Sequence, residues 1–184
     1  VATEPAAVAA YIGIGSNLDD PERQVRAAVA ELAGLPESRL IACSALYRTA
    51  PVGPQDQPDY VNAAARLETG LVAVDLLAAL QGIERRHGRM RDGSRWGPRT
   101  LDLDILLFGG ARIDRPGLHV PHRELANRSF VLVPLSDIAP PDLAVPGRGT
   151  LATLLGRCPR EGVLHLAPAP GCDASGPLAE CAAT

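Results

Sequence analysis

A chain of 184 residues is long enough for one domain with a substantial core and too short for two of ordinary size. Its hydrophobic residues, 46% of the total, never form an uninterrupted apolar run of about 18 residues, which argues against a membrane span or a secretory signal. The formal charge of -3 hides an asymmetry: residues 85–128 carry ten arginines against five acids, net +5, which leaves -8 for the rest. All 18 cationic residues are arginine, so a P-loop lysine, a Schiff base and a lysine general base are excluded.

A single domain over residues 10–167 is expected, between a disordered leader at 1–9 and a flexible tail at 168–184. Cys43, Cys158, Cys172 and Cys181 lack metal-type spacing and read as free thiols of a reducing, cytoplasmic compartment. Residues 10–15 alternate in polarity and predict a first strand, closing in the turn Gly15-Ser16-Asn17. A helix follows, with Asp20 as N-cap, Pro21 at its first position, Val25, Ala28, Val29 and Leu32 as buried stripe, and Gly34 as stop. Residues 40–47 predict a second strand. Residues 48–59, with three prolines and a glycine, predict a long surface loop. Alternation resumes over 60–68, with Val61, Ala63, Ala65 and Leu67 on one face and Tyr60 and Asn62 on the other. An amide suits the edge of a flat heterocycle and a phenol ring suits its face, although an ordinary exposed pair would look the same.

Residues 74–87 predict the clearest helix, closed at Gly88, with Leu77, Gln81 and Glu84 sharing a face. Beyond the arginine-rich loop and a strand from Leu101, a tight turn at 108–111 leads to a short strand at 112–114. His122 and Arg128 add two phosphate-capable groups. The apolar run 131–135 is ambiguous between helix and strand because Pro134 interrupts it. A capped helix at 150–155 and a short strand at 163–166 complete the expected elements.

The chemistry concentrates in residues 89–107. Arg89, Arg91, Arg95 and Arg99 surround the only tryptophan, Trp96, and lead into Leu101-Asp102-Leu103-Asp104-Ile105. Period-two alternation directs Leu101, Leu103 and Ile105 to the core and stands Asp102 and Asp104 together on the other face. Two carboxylates on one open face suit a hard divalent cation. Arginine forks nearby suit the phosphates that such a cation escorts. Each feature alone also has a structural use, but together they point to phosphoryl transfer, which asks a protein chiefly for positioning and charge neutralisation.

Gly15-Ser16-Asn17-Leu18, Tyr47-Arg48-Thr49, residues 53–64, Arg95 to Leu106 and Val120-Pro121-His122 resemble the 6-hydroxymethyl-7,8-dihydropterin pyrophosphokinases of folate biosynthesis, collinearly from about Tyr11 to Pro146. The resemblance implies an α+β fold of three α/β/α layers, ferredoxin-like, with a largely antiparallel central sheet. It implies transfer of a pyrophosphoryl unit from ATP, as co-substrate, to the pterin hydroxymethyl group, with release of AMP. It assigns two Mg²⁺ ions to Asp102 and Asp104, and gives these two and Arg89 and Arg99 the catalytic roles. Leu77, Gln81, Glu84, Arg89, Arg91, Trp96, Arg99, Ile105, His122 and Arg128 would bind the nucleotide. Thr49, Val52, Tyr60, Asn62, Trp96 and Phe130 would form the pterin pocket. Residues 48–59 and 88–98 would close as lids, excluding water. Ala50, His119 and Arg123 depart from the family pattern, in which a proline, a small hydroxyl residue and an aromatic are common. The partners implied are small molecules, with neither nucleic acid nor membrane, and the expected state is a monomer. Two other readings stay beside it: a nucleotidyltransferase built on Gly15-Ser16 and the aspartates, and an RNA-binding module built on the arginines and Trp96.

Overall fold

The computed structural model describes residues 7–89 and 97–170. In chain order the elements are β1 (Val8–Ser16), α1 (Pro21–Ala33), β2 (Ser38–Cys43), β3 (Leu46–Thr49), β4 (Tyr60–Thr69), α2 (Ala73–Arg86), β5 (Asp102–Phe108), β6 (Ile113–Arg115) and β7 (Leu118–Val120). A single 3-10 turn (Leu125–Asn127) precedes α3 (Ser129–Ile138), and β8 (Ala144–Val145), β9 (Gly149–Thr150), α4 (Leu151–Arg157) and β10 (Leu164–Ala167) follow.

Six strands form the main sheet in the order β10-β3-β4-β1-β5, with β2 also paired to β4, and every pairing is antiparallel. Val25, Ala28, Val29 and Leu32 of α1 and Leu76, Leu80 and Ile83 of α2 cover one face. Leu132 and Leu135 of α3 and Leu151 and Leu154 of α4 cover the other. The protein is thus a mixed α/β fold whose central antiparallel sheet is flanked by helices.

Helix α1 forms as its caps dictate: Pro21 opens it, the Asp20 carboxylate accepts the Arg23 N–H, and the buried stripe is the expected one. In α4 the Thr150 hydroxyl accepts the Thr153 N–H, and the helix continues two residues beyond the expected end. The ambiguous run around Pro134 is helical. Pro134 has no N–H to give the Phe130 carbonyl four residues back, yet α3 carries through it.

Three boundaries correct the expectations. The first strand begins at Val8, inside the expected leader, because Val8 and Ala9 pair with Thr69 and Glu68 of β4. The expected strand at 40–47 is two strands, since Ser44 and Ala45 leave the ladder and the chain resumes at Leu46. The strand at 112–114 begins one residue later, at Ile113, and folds back on β7 as a hairpin.

Strand β5 lies at an edge of the sheet, with β1 as its only strand neighbour among the described residues. Leu101, Leu103 and Ile105 pack into the core beneath α1 and α2, as alternation requires. A register shift opposite Tyr11 and Ile12 then breaks the alternation, and both Leu106 and Leu107 join the core beneath α3 and α4.

Candidate active site

A cleft of about 380 Å³ opens over the ends of β1, β3, β4 and β5, and it gathers residues from distant parts of the chain. Asp102 and Asp104 stand on its floor with Arg89 and Arg99. Leu77, Gln81 and Glu84 of α2 form one wall. Thr49, Val52, Tyr60, Asn62 and Phe130 line one end, and His122 and Arg128 the other side. Ile105 does not join them: it is buried in the core beneath α1 and α2, where alternation had already directed it. Arg91, Arg95 and Trp96 lie outside the described residues.

The Asp102 carboxylate is held at both oxygens, Oδ1 by Arg89 and Oδ2 by Arg99 three residues before it. Arg89 also reaches Glu84, whose carboxylate accepts the Leu103 N–H at 2.8 Å. Asp104 keeps 47% of its side-chain surface open to the cleft, yet the walls withdraw bulk water from around it. That desolvation, reinforced by the Asp102 and Glu84 charges and opposed by Arg89 and Arg99, pushes its carboxyl up to about 7. His122 Nε2 stands 3.8 Å from Asp104 Oδ2. Its Nδ1 accepts the Glu124 N–H at 3.3 Å, so a neutral ring carries its proton on Nε2, toward Asp104. Burial first and the Arg128 charge second hold this imidazole below its ordinary pKa.

Crowded carboxylates, one of them reluctant to ionise without a cation, are the donor set a hard divalent ion prefers. Among the described residues no group of three or more acidic, histidine or cysteine side chains could hold a metal ion unaided. A cation at Asp102 and Asp104 would therefore take its other oxygens from phosphate and water, as magnesium ordinarily does.

At the opposite end, Asn62 is buried and fixed: its amide nitrogen donates to Thr49 Oγ1 at 2.8 Å, which leaves its own oxygen for another partner. The pair Tyr60 and Asn62 is therefore no ordinary exposed pair. Central position under α3 buries Asn62, while the Tyr60 hydroxyl donates to the Gly97 carbonyl at 3.1 Å. Burial raises the Tyr60 phenol above its ordinary pKa. The Arg128 guanidinium carbon lies 5.6 Å from the centre of the Phe130 ring, so a cationic and an aromatic side chain of the cleft meet at the start of α3.

Asn17, which reads in the sequence only as part of a turn, is a structural centre of the site. At 1% exposure, it donates from its amide to Gln57 Oε1 and to the Pro58 carbonyl at 3.0 and 3.1 Å, and pairs with the Arg99 backbone. Ser16 is equally buried, and its hydroxyl donates to the Thr100 carbonyl at 2.6 Å. That hydroxyl is spent within the protein, against its use for phosphate in the nucleotidyltransferase reading. His119 and Arg123, two departures from the family pattern, converge on Asp114 of β6, at 2.6 and 3.5 Å.

Residues 11–140 match the family described as 7,8-dihydro-6-hydroxymethylpterin-pyrophosphokinase. The 2-amino-4-hydroxy-6-hydroxymethyldihydropteridine pyrophosphokinase of Pseudomonas aeruginosa is 53% identical over 156 residues, covering 85% of this chain and 95% of that one. Its counterpart from Haemophilus influenzae is 47% identical over 148 residues, covering 80% and 91%. Among solved structures, wild-type Plasmodium falciparum HPPK-DHPS with pteroate superposes with a TM-score of 0.64 at 14% identity. The match covers 85% of this chain but only 43% of that longer one, and at this identity it speaks for the fold alone. The chain belongs to the 7,8-dihydro-6-hydroxymethylpterin-pyrophosphokinase family.

Proposed function

We propose that the cleft is where this pyrophosphokinase brings ATP and its pterin together, and that the two ends of the cleft divide the work. The reaction is ATP-dependent transfer of a pyrophosphoryl unit to the hydroxymethyl group of 6-hydroxymethyl-7,8-dihydropterin, a step of folate biosynthesis. The observation that carries the assignment of ends is the pairing of Asp102 with Arg89 and Arg99, beside Asp104 on the cleft floor and across from buried Asn62.

Asp102 and Asp104 would hold two Mg²⁺ ions, which when bound screen the phosphate charge and orient the chain of phosphates. Arg89, Arg99, His122 and Arg128 grip phosphate oxygens, the arginines through bidentate forks. Leu77 and Gln81 receive the nucleoside. Asn62, its nitrogen committed to Thr49, presents its oxygen to the donor edge of the pterin, while Tyr60 and Phe130 enclose the ring. Holding the hydroxymethyl oxygen against the β-phosphorus supplies most of what the transfer needs. Residues 48–59 exclude water, whose attack would hydrolyse ATP without product. The topology β1-α1-β2/β3-β4-α2-β5, with β1 and β4 central, supports a ferredoxin-like core for this assembly. A cytoplasmic monomer completes the proposal; no helix among the described residues is long and apolar enough to cross a membrane.

The test is product analysis. Purified protein with ATP, Mg²⁺ and the hydroxymethyl pterin should yield AMP and the pterin diphosphate. Release of ADP in place of AMP, or full activity in Asp102→Ala, would refute the proposal.

A further inference from the structure

Glu84 is the only acidic side chain among the described residues that is buried, at 2% exposure. A carboxylate removed from water costs several kcal/mol unless its oxygens are matched, so its partners show its use. Its Oε1 accepts the backbone N–H of Leu103 at 2.8 Å and also the guanidinium of Arg89. Its own carbonyl accepts the Arg89 N–H at 3.0 Å. Leu103 sits between Asp102 and Asp104 on an edge strand whose only strand neighbour among the described residues is β1, so a side chain from α2 completes the ladder there. The same Arg89 nitrogen that meets Glu84 also meets Asp102 Oδ1.

We propose that Glu84 is a positioning residue for pyrophosphoryl transfer: its carboxylate caps the outer edge of β5 at Leu103 and holds Arg89 against Asp102. The two aspartates and the arginine are thereby fixed as one unit on the end of α2. This differs from the nucleotide contact that family resemblance implies, and it rests on the pyrophosphokinase reading of the cleft. Without Glu84, the Leu103 N–H would lose its acceptor, and the strand could rock where the carboxylates must be held to a few tenths of an ångström.

Two variants separate reach from charge. Glu84→Gln retains an oxygen at the same reach for the Leu103 N–H. Glu84→Asp retains the charge but is one methylene too short to span the gap. The readouts are hydrogen exchange at the Leu103 amide in ligand-free protein, the Kd of an unreactive ATP analogue, and kcat and KM for ATP. In Glu84→Asp, Leu103 exchange should rise at least ~10-fold and kcat should fall roughly 30-fold, with KM for ATP within about threefold of wild type. Glu84→Gln should keep Leu103 protected and recover about a third or more of wild-type kcat. The proposal is overturned if the analogue Kd or KM for ATP rises about tenfold in either variant while Leu103 exchange stays at the wild-type rate, since Glu84 would then be touching nucleotide. Absence of AMP release by the wild-type enzyme would instead refute the functional reading, leaving the exchange result intact.

Discussion

Asn17 and Arg99, 82 residues apart, exchange two hydrogen bonds: the Asn17 N–H donates to the Arg99 carbonyl at 3.0 Å, and the Arg99 N–H donates to Asn17 Oδ1 at 2.7 Å. The remaining amide hydrogens of Asn17 go to Gln57 and Pro58. One buried side chain thus joins the loop before β4 to the segment that carries Arg99 of the cleft. Asn17→Asp keeps the acceptor for Arg99 but sets a carboxylate oxygen against two acceptors on the 48–59 loop. The expected outcome is a loss of about 2–3 kcal/mol in stability, from buried groups left unpaired. KM for pterin should rise roughly tenfold with KM for ATP nearly unchanged. Urea unfolding and steady-state kinetics with each substrate varied in turn measure both. Equal changes in the two KM values would sink the idea that Asn17 serves the 48–59 loop selectively.

Thr49 acts through Asn62. Its hydroxyl oxygen accepts from the Asn62 amide nitrogen at 2.8 Å, which determines which end of the amide faces the cleft. Thr49→Val has nearly the same shape and cannot accept, so the amide loses its preferred orientation. KM for pterin should increase about tenfold, equivalent to ~1.4 kcal/mol of binding, while affinity for the ATP analogue stays the same. Calorimetric titration with each ligand distinguishes this from general damage.

What could be read in the sequence, and what could not, divides on physical lines. Helix α1 was legible because its caps and buried stripe lie within fourteen residues of each other, and Asp102 and Asp104 because strand alternation is local. Asn17 was not, since its value comes from partners 40 and 82 residues away and Gly-Ser-Asn reads as a turn in any protein. Asn62 looked exposed from alternation alone because alternation cannot tell a strand covered on both faces from one with a wet face. Alternation also directed the Ile105 side chain to the core, and the core is where it packs.

Tyr47 supplies a pH prediction away from the cleft. Its hydroxyl donates to Asp137 Oδ2 at 2.9 Å, and its ring meets the His165 ring edge-on at 5.8 Å, which ties β3 to α3 and β10. Burial first, then the Asp137 carboxylate, pushes the phenol from 10.0 up to about 12. A folded pKa above the unfolded one means the native state holds the proton more tightly. The contribution is therefore full below pH 10 and is lost as pH rises through 12. Stability of the wild type should decline across that window, and Tyr47→Phe should flatten the decline while starting from a lower value. Urea midpoints at successive pH values give the slopes; parallel slopes in the two proteins would remove Tyr47 as the cause.

Ser44 explains why the expected strand at 40–47 divides, and it links that division to the site. Cys43 pairs with Ala65 and Tyr47 with Asn62, so four steps along one strand match three along the other, which is one extra residue. Side chains beyond the bulge therefore change face, and this brings Thr49 round to Asn62. Ser44 stabilises the irregular step from inside. It is fully buried, its N–H donates to the Ala64 carbonyl at 2.8 Å, and its hydroxyl accepts the Ala64 N–H at 2.8 Å while donating to the Ala45 carbonyl at 2.7 Å. Ser44→Ala leaves a buried Ala64 N–H with no acceptor, at a cost of about 1–3 kcal/mol. Because the bulge then lacks its brace, Thr49 and Asn62 should lose register, and KM for pterin should rise together with exchange at the Ala64 amide. A variant that lost stability but kept wild-type pterin affinity would show that the bulge shapes the sheet without shaping the pocket.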